Sequence, residues 1–392
     1  MLRGDRAGKR GLRNAVDDIG LIDHHCHGVT RNDLDVAAFE GLITESFDPP
    51  PAGTSHFDGP LGLAVRRWCA PVLDLDPFPT PEEYLARRRE VGADEVARRF
   101  LKEAGLEAML IDTGYRSDEI HGPDQMADLA GAPAHEVVRL EAVAEAVART
   151  GVEASRYGEA FAEALAEAAA PSSAVGFKTI AAYRGGFGFD PAVPSPEDVA
   201  RAAEPFLREA DTGAGPRLAD PVLIRHGIWT AAEVGRDRGL PIQFHVGWGD
   251  PDLVLHLTNP TLLTELIRGL AKARVNVTFL HCYPFHREAG YLASMYPNVY
   301  FDVGSALHYH GPSSATLLAE ALEVAPFTKL LYSSDAFGLA EQYYLGSVLH
   351  RRALRQILDR WIADEQCNAA GADRIVSLVG RDNARRIYPL SS

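Results

Sequence analysis

Eight short apolar runs, each bounded by turn residues and most followed by a stretch of helical character, constrain this chain more than any other feature in it. They fall at 20–25, 107–112, 136–141, 174–182, 241–246, 276–281, 298–304 and 329–334. EAVAEAVART after the third run and PTLLTELIRGLAKA after the fifth read as helices, and Asn259 followed by Pro260 is a helix start signal. Strand alternating with helix implies a parallel sheet, because joining parallel strands takes a crossover that a helix usually fills. Eight such units suggest closure into a (β/α)8 TIM-like barrel, and 392 residues suit one such domain over 1–392 with insertions.

The spacing is uneven. About 80 residues separate the first two runs and contain WCAPVLDLDPFPTPEEYLARRREVGADEVARRFLKEAG, expected to form a helical insertion or lid over 43–106 with Pro-rich joints. A second long connection, 183–240, carries the helical PSPEDVARAAEPFLREA and a break at DTGAGP, and the Ala/Glu-rich helix near 159–170 reads as a solvated face. The last 50 residues read as two or three terminal helices that close the barrel.

Charge narrows the choice of partner. The formal net charge of -15 would repel nucleic acid or an anionic membrane, so a small molecule is the expected partner. No run approaches the length of a membrane span, and MLRGDRAGKRGLRNAVDD lacks the apolar core of a secretion signal. The four cysteines, Cys26, Cys69, Cys282 and Cys367, are too few and scattered for a disulfide framework, so a reducing cytoplasm is expected.

The chemistry-bearing residues recur at strand ends. In LIDHHCHG, side chains alternate along an extended strand, so His25 and His27 share one face while His24 and Cys26 take the other. Lys178 sits in VGFKTIAAYR, His245 ends QFHVGWGD, His281 ends VTFLHCYPF and Asp335 follows in YSSDAFG. A single strand-end histidine is more often a hydrogen-bonded core residue, and Asp335 alone reads equally well as a helix N-cap. A lysine inside an apolar strand needs a partner. Together these residues line the end of a barrel where catalytic groups gather.

This pattern, His-x-His on strand one, Lys on four, His on five and six and Asp on eight, resembles the amidohydrolase superfamily. HVGWGDPDLVLHLTNP, HCYPFHREAGYLASMYPNVYFDVG and GRDNARRIYPL are similar to its amidohydrolase-2 branch, and to the amidohydrolase domain fused to glutamine-synthetase-like proteins. The resemblance implies a metal-dependent hydrolase of amide-like C–N bonds. His25, His27 and Asp335 would bind one divalent ion, and His245 and His281 a second, with a carboxylated Lys178 bridging them. Zn2+ is the expected ion, with Mn2+ or Fe2+ as alternatives, since imidazole and carboxylate suit first-row ions. Asp335 would be the general acid and base. A one-ion arrangement leaves His281 to polarise substrate and the Lys178 amine to bind a carboxylate.

For substrate contacts we expect Arg184 to grip a carboxylate, with Tyr183, Trp248, Asp250, His308 and Tyr309 just beyond strand ends. A glutamyl-type substrate would match a carboxylate to Arg184 and an amine to Asp250. Cys26 and Cys282 read as packing residues. The competing readings are a one-metal decarboxylase or sugar-acid isomerase of the same branch, and a non-catalytic barrel. Self-association is expected only from the habit of such barrels.

Overall fold

The computed structural model describes residues 15–210 and 215–390. The beginning of the N-terminal stretch discussed above, and most of the DTGAGP break, lie outside the described residues. Seven of the eight expected strands form: β1 (Leu21–Cys26), β2 (Leu106–Asp112), β3 (Ala134–Arg139), β4 (Ala174–Thr179), β5 (Ile242–His245), β6 (Val277–Leu280) and β7 (Val299–Phe301). β1 pairs with β2, and each strand from β3 to β6 pairs with the next, all in parallel. Parallel strands separated by helices in this order make a TIM-barrel-type α/β fold, here with seven regular strands among the described residues. The chain forms two compact units.

The first unit comprises Met1–Ile111, Arg116–Ala134 and Asp302–Ala384. Its expected last strand is the exception to the sequence reading: 329–334 is extended but forms no named strand. The segment lies along β1 and exchanges bonds with it, His24 N to Tyr332 O (3.2 Å), Asp335 N to His25 O (3.0 Å) and His27 N to Ala336 O (2.8 Å). The Asp23 carboxylate accepts Ser334 N (2.9 Å) and Ser334 Oγ (2.5 Å). A side-chain acceptor here takes the donor that a regular ladder would use.

The 43–106 segment is helical as expected. Helix Pro81–Val91 starts with a capping box, Thr80 and Glu83 each accepting from the other's backbone N–H, and ends at Gly92 with φ 84. Its inner face meets the long helix Ala340–Ala363 through buried charges. Arg88 Nε bonds Glu341 Oε1 at 2.7 Å, and Tyr84 OH donates to the same oxygen at 3.1 Å. Ala340–Ala363, Ala369–Ser377 and Asn383–Ile387 supply the expected terminal helices.

His350 on the long helix packs edge-on against Tyr332, with ring centroids 4.9 Å apart. Burial pulls its pKa down to about 3. The unfolded chain therefore takes up this proton first, near the free value of about 6.5. Its contribution to stability is complete above that pH and is lost progressively as the pH falls towards 3. Urea midpoints should drop between pH 7.5 and pH 5 in the native protein and drop less in His350→Asn; equal drops would remove His350 as the cause.

The second unit comprises Asp112–Tyr115, His135–Phe301 and Arg385–Ser392. Phe177, Phe244, Phe279 and Phe301 are fully buried on its strands. Asn259 caps the segment after β5 by accepting Thr261 N, as its position before Pro260 suggests. Helix Tyr157–Ala169 buries Tyr157, Phe161, Leu165 and Ala169, a stripe spaced by four residues. The Ala/Glu-rich segment is thus only half a solvated face. No helix among the described residues is long and apolar enough to cross a membrane.

Candidate metal centre and strand-end residues

In the first unit, β1 delivers His25 and the chain just beyond it delivers His27. Asp335 comes from the neighbouring segment through its backbone bond to His25. His25 Nε2 lies 3.1 Å and His27 Nε2 3.8 Å from Asp335 Oδ1, and one ligand atom from each residue falls within 4.8 Å of the others. Two imidazoles and a carboxylate converging at such distances suit a divalent first-row ion. The alternation along β1 is as expected. His24 turns to the opposite side and bonds Asp302 at 2.8 Å, and the buried Cys26 thiol donates to Leu110 O at 3.5 Å.

Several details hold this set in place. Tyr343 OH donates to His27 O, and Phe337 packs edge-on to the His27 ring at 5.8 Å. Gly28 follows because a Cβ there would come 2.0 Å from His121 O. Asp335 has φ 49, a left-handed conformation that Asp tolerates better than most residues and that clusters at functional sites. Asp23, beneath the set, has its carboxyl pushed up to about 8 by burial despite the two Ser334 donors. His308, 1% exposed on the short helix Ala306–His310, has its pKa pulled to about 4 by burial, with Asp335 pulling the other way. It is therefore neutral at pH 7. The adjacent half-buried Tyr309 bonds Glu45, from the segment after β1, and desolvation pushes its phenol pKa up.

In the second unit, Lys178, His245 and His281 occupy β4, the end of β5 and the position after β6. His245 and His281 stand ring to ring at 4.2 Å, and Tyr183 covers His245 at 4.4 Å. His281, at φ 42, sets its Nδ1 3.1 Å from Val246 O. A carbonyl only accepts, so Nδ1 carries the proton and Nε2 presents its lone pair. Cys282 beside it is buried.

The expected substrate contacts are placed as follows. Arg184 pairs with Glu145 at 3.2 Å, and Glu145 also accepts Leu218 N, so its guanidinium already has an anion. Trp248 packs against Tyr283 at 5.8 Å. Asp250 has its carboxyl raised by burial, although Asp252 N donates to it. Sequence reasoning missed Asp112 and Arg139, which end β2 and β3 and would have emerged from the same strand-end rule. It also missed Asp302, partner of His24, and Glu141, which accepts Thr179 Oγ1 (2.6 Å) and Ile180 N (3.0 Å).

A parallel β/α fold with a His-x-His pair at the end of β1, meeting an Asp from the segment after β7, defines the class of metal-binding barrel hydrolases. The chain belongs to the amidohydrolase family, whose profile matches residues 22–390, and it is an enzyme of the metal-dependent hydrolase type. It is similar to protein fluG of Emericella nidulans, 27% identical over 421 residues that cover 97% of this chain and 47% of that protein. The chain thus spans about half the length of that relative. Among solved structures it resembles a metal-dependent hydrolase from Lactobacillus casei ATCC 334, with 28% identity, TM-score 0.81 and coverage of 97% and 99% of the two chains. A uronate isomerase from Bacillus halodurans C-125 shares the fold at 13% identity and TM-score 0.64, over 99% and 97% of the chains.

Proposed function

We propose that this enzyme hydrolyses an amide-like C–N bond in a small, carboxylate-bearing substrate of glutamyl type. The observation that carries the reading is the convergence of His25, His27 and Asp335 on one point. These residues would hold the ion, with Zn2+ favoured by two imidazoles and a carboxylate. What a divalent ion supplies when bound is polarisation of a carbonyl and acidification of water to a pKa of about 7.

The protein's own groups do the rest. Asp335 keeps part of its side chain accessible, 17% exposed, where both histidine ligands are nearly closed off. Its carboxylate takes the proton of the attacking water and returns it to the leaving nitrogen as the C–N bond breaks. At the strand ends of the second unit, His245 and His281 stand ring to ring, and His281 holds its Nδ1 proton toward Val246, leaving Nε2 as the acceptor. Neutral His308 orients the polar part of the substrate. Tyr183, Trp248 and Asp250, which follow β4 and β5, would contact the substrate, and Arg184 would act through its pair with Glu145. The glutamyl assignment is supported by the similarity to amidohydrolase domains fused to glutamine-synthetase-like proteins. Four cysteines without a disulfide among them suit the cytoplasm.

Metal removal tests this reading. Dialysis against dipicolinate should lower hydrolysis of a γ-glutamyl amide panel by about 10²-fold or more, several kcal/mol of lost charge stabilisation. Added Zn2+ should restore it, and His25→Ala should bind no ion. Undiminished turnover without metal would sink the proposal, and carbon dioxide release with no amine would move the enzyme to decarboxylation.

A further inference from the structure

Within the first unit, Asp335 faces the wrong way for its place in the chain. Side chains alternate along β1, with Asp23 and His25 on one face and His24 on the other. The extended segment beside it keeps the same rule for two residues. Ser333 Oγ donates to Asp302 Oδ1 at 2.8 Å, and the other oxygen of that carboxylate lies 2.8 Å from His24 Nε2, on the far face. Ser334 gives both its N–H and its hydroxyl to Asp23, on the ligand face. Continued alternation would send Asp335 back to the side of His24. It meets His25 and His27 instead, because the left-handed conformation at φ 49 breaks the alternation there. The Ser334 hydroxyl also accepts Ala336 N at 3.1 Å, which closes a turn across Asp335 itself.

We propose that Asp302 with Ser333, and Asp23 with Ser334, are positioning pairs that pin the chain on both faces of β1 just before Asp335 and so present its carboxylate to the ion. The inference rests on the reading that His25, His27 and Asp335 hold a divalent ion, and not on the reaction or its substrate. A residue other than glycine keeps a positive φ only where its surroundings over-determine it. A segment free to relax would turn Asp335 away from the two histidines. Each buried carboxylate opposes that with two donors. Asp23 takes both from Ser334, and Asp302 takes the Ser333 hydroxyl and Gly304 N, the latter at 2.7 Å. A Cβ at Gly304 would come 2.0 Å from Ser333 Oγ and 3.0 Å from Asp302 Oδ1, so the missing side chain is what lets the outer pair close.

Cobalt binding to the full-length protein, stripped of metal, tests this by competition with a chromophoric chelator and by the visible bands of bound Co2+. Ser334→Ala and Ser333→Ala should each weaken Co2+ binding at least ~10-fold, one hydrogen bond being worth about that factor. Both should also shift the bands, because the carboxylate ligand no longer arrives in place. Gly304→Ala displaces Ser333 without removing a polar group and should do the same. Ser347→Ala controls for lost stability alone: this buried serine of the same unit donates to Ala104 O at 2.6 Å. Its urea midpoint should fall while Co2+ affinity and bands stay native. Native Co2+ affinity and bands in the two serine variants would overturn the positioning role, as would equal losses in Ser347→Ala. Native protein that binds no Co2+ would overturn the metal reading along with it, so the two failures are told apart without any substrate.

Discussion

Asp335→Asn should leave the protein folded and cut turnover of an amide substrate by about 10²–10⁴-fold, the usual range for losing a positioned proton-transfer group. Asparagine is nearly isosteric and is among the residues most at ease in the left-handed conformation that position 335 adopts at φ 49. The bonds holding this stretch to β1 come from the backbone of Asp335 and from Ser334, and the substitution spares them. An amide oxygen can still face His25 and His27 but cannot carry a proton from water to the leaving nitrogen. Metal content by mass spectrometry, read beside kcat at saturating Zn2+, separates the two losses. Near-native kcat in a metal-loaded Asp335→Asn enzyme would transfer the acid–base role elsewhere.

Glu341→Ala should destabilise the protein by about 3–5 kcal/mol, the usual cost of removing one partner of a buried ion pair. Arg88 and Glu341 are both nearly inaccessible, with side chains 6% and 0% exposed. Truncating the glutamate leaves a guanidinium in the interior and takes the Tyr84 hydroxyl's acceptor with it. The paired replacement Arg88→Met with Glu341→Leu should recover most of the loss, because it removes both desolvated charges together. Urea unfolding measures both. A change below about 1 kcal/mol in the single variant would place the pair among solvated surface bridges.

The regular parts of the molecule were legible because they are written in local periodicity. Seven strands appear within a few residues of the apolar runs, and the alternation rule put His25 with His27 and His24 on the other side. The eighth run is extended without being a regular strand: Asp23, 311 residues away from Ser334, presents its carboxylate to that residue and takes a donor that the ladder would use. No local pattern announces such a distant pairing. Arg184 looked available for a substrate because its partner Glu145 lies 39 residues earlier on a different helix. Asp112 and Arg139 were passed over for the opposite reason: each sits openly at a strand end, but only the β3–β4 register sets Arg139 opposite Lys178, and only the fold brings the Asp112 carboxylate to both.

The first unit is discontinuous, with segments on either side of 135–301, and this sets an order of events during synthesis. His25 and His27 leave the ribosome early, yet Asp335 follows some 310 residues later, roughly 15–60 s at ordinary elongation rates. Through that interval β1 has its histidines but not the segment that zips alongside it. A nascent chain therefore offers two imidazoles without the carboxylate, a weak and unselective perch for any passing ion. Loading of the proper metal becomes a late, post-synthetic step, and cells short of the right ion should accumulate finished but empty enzyme rather than stalled fragments.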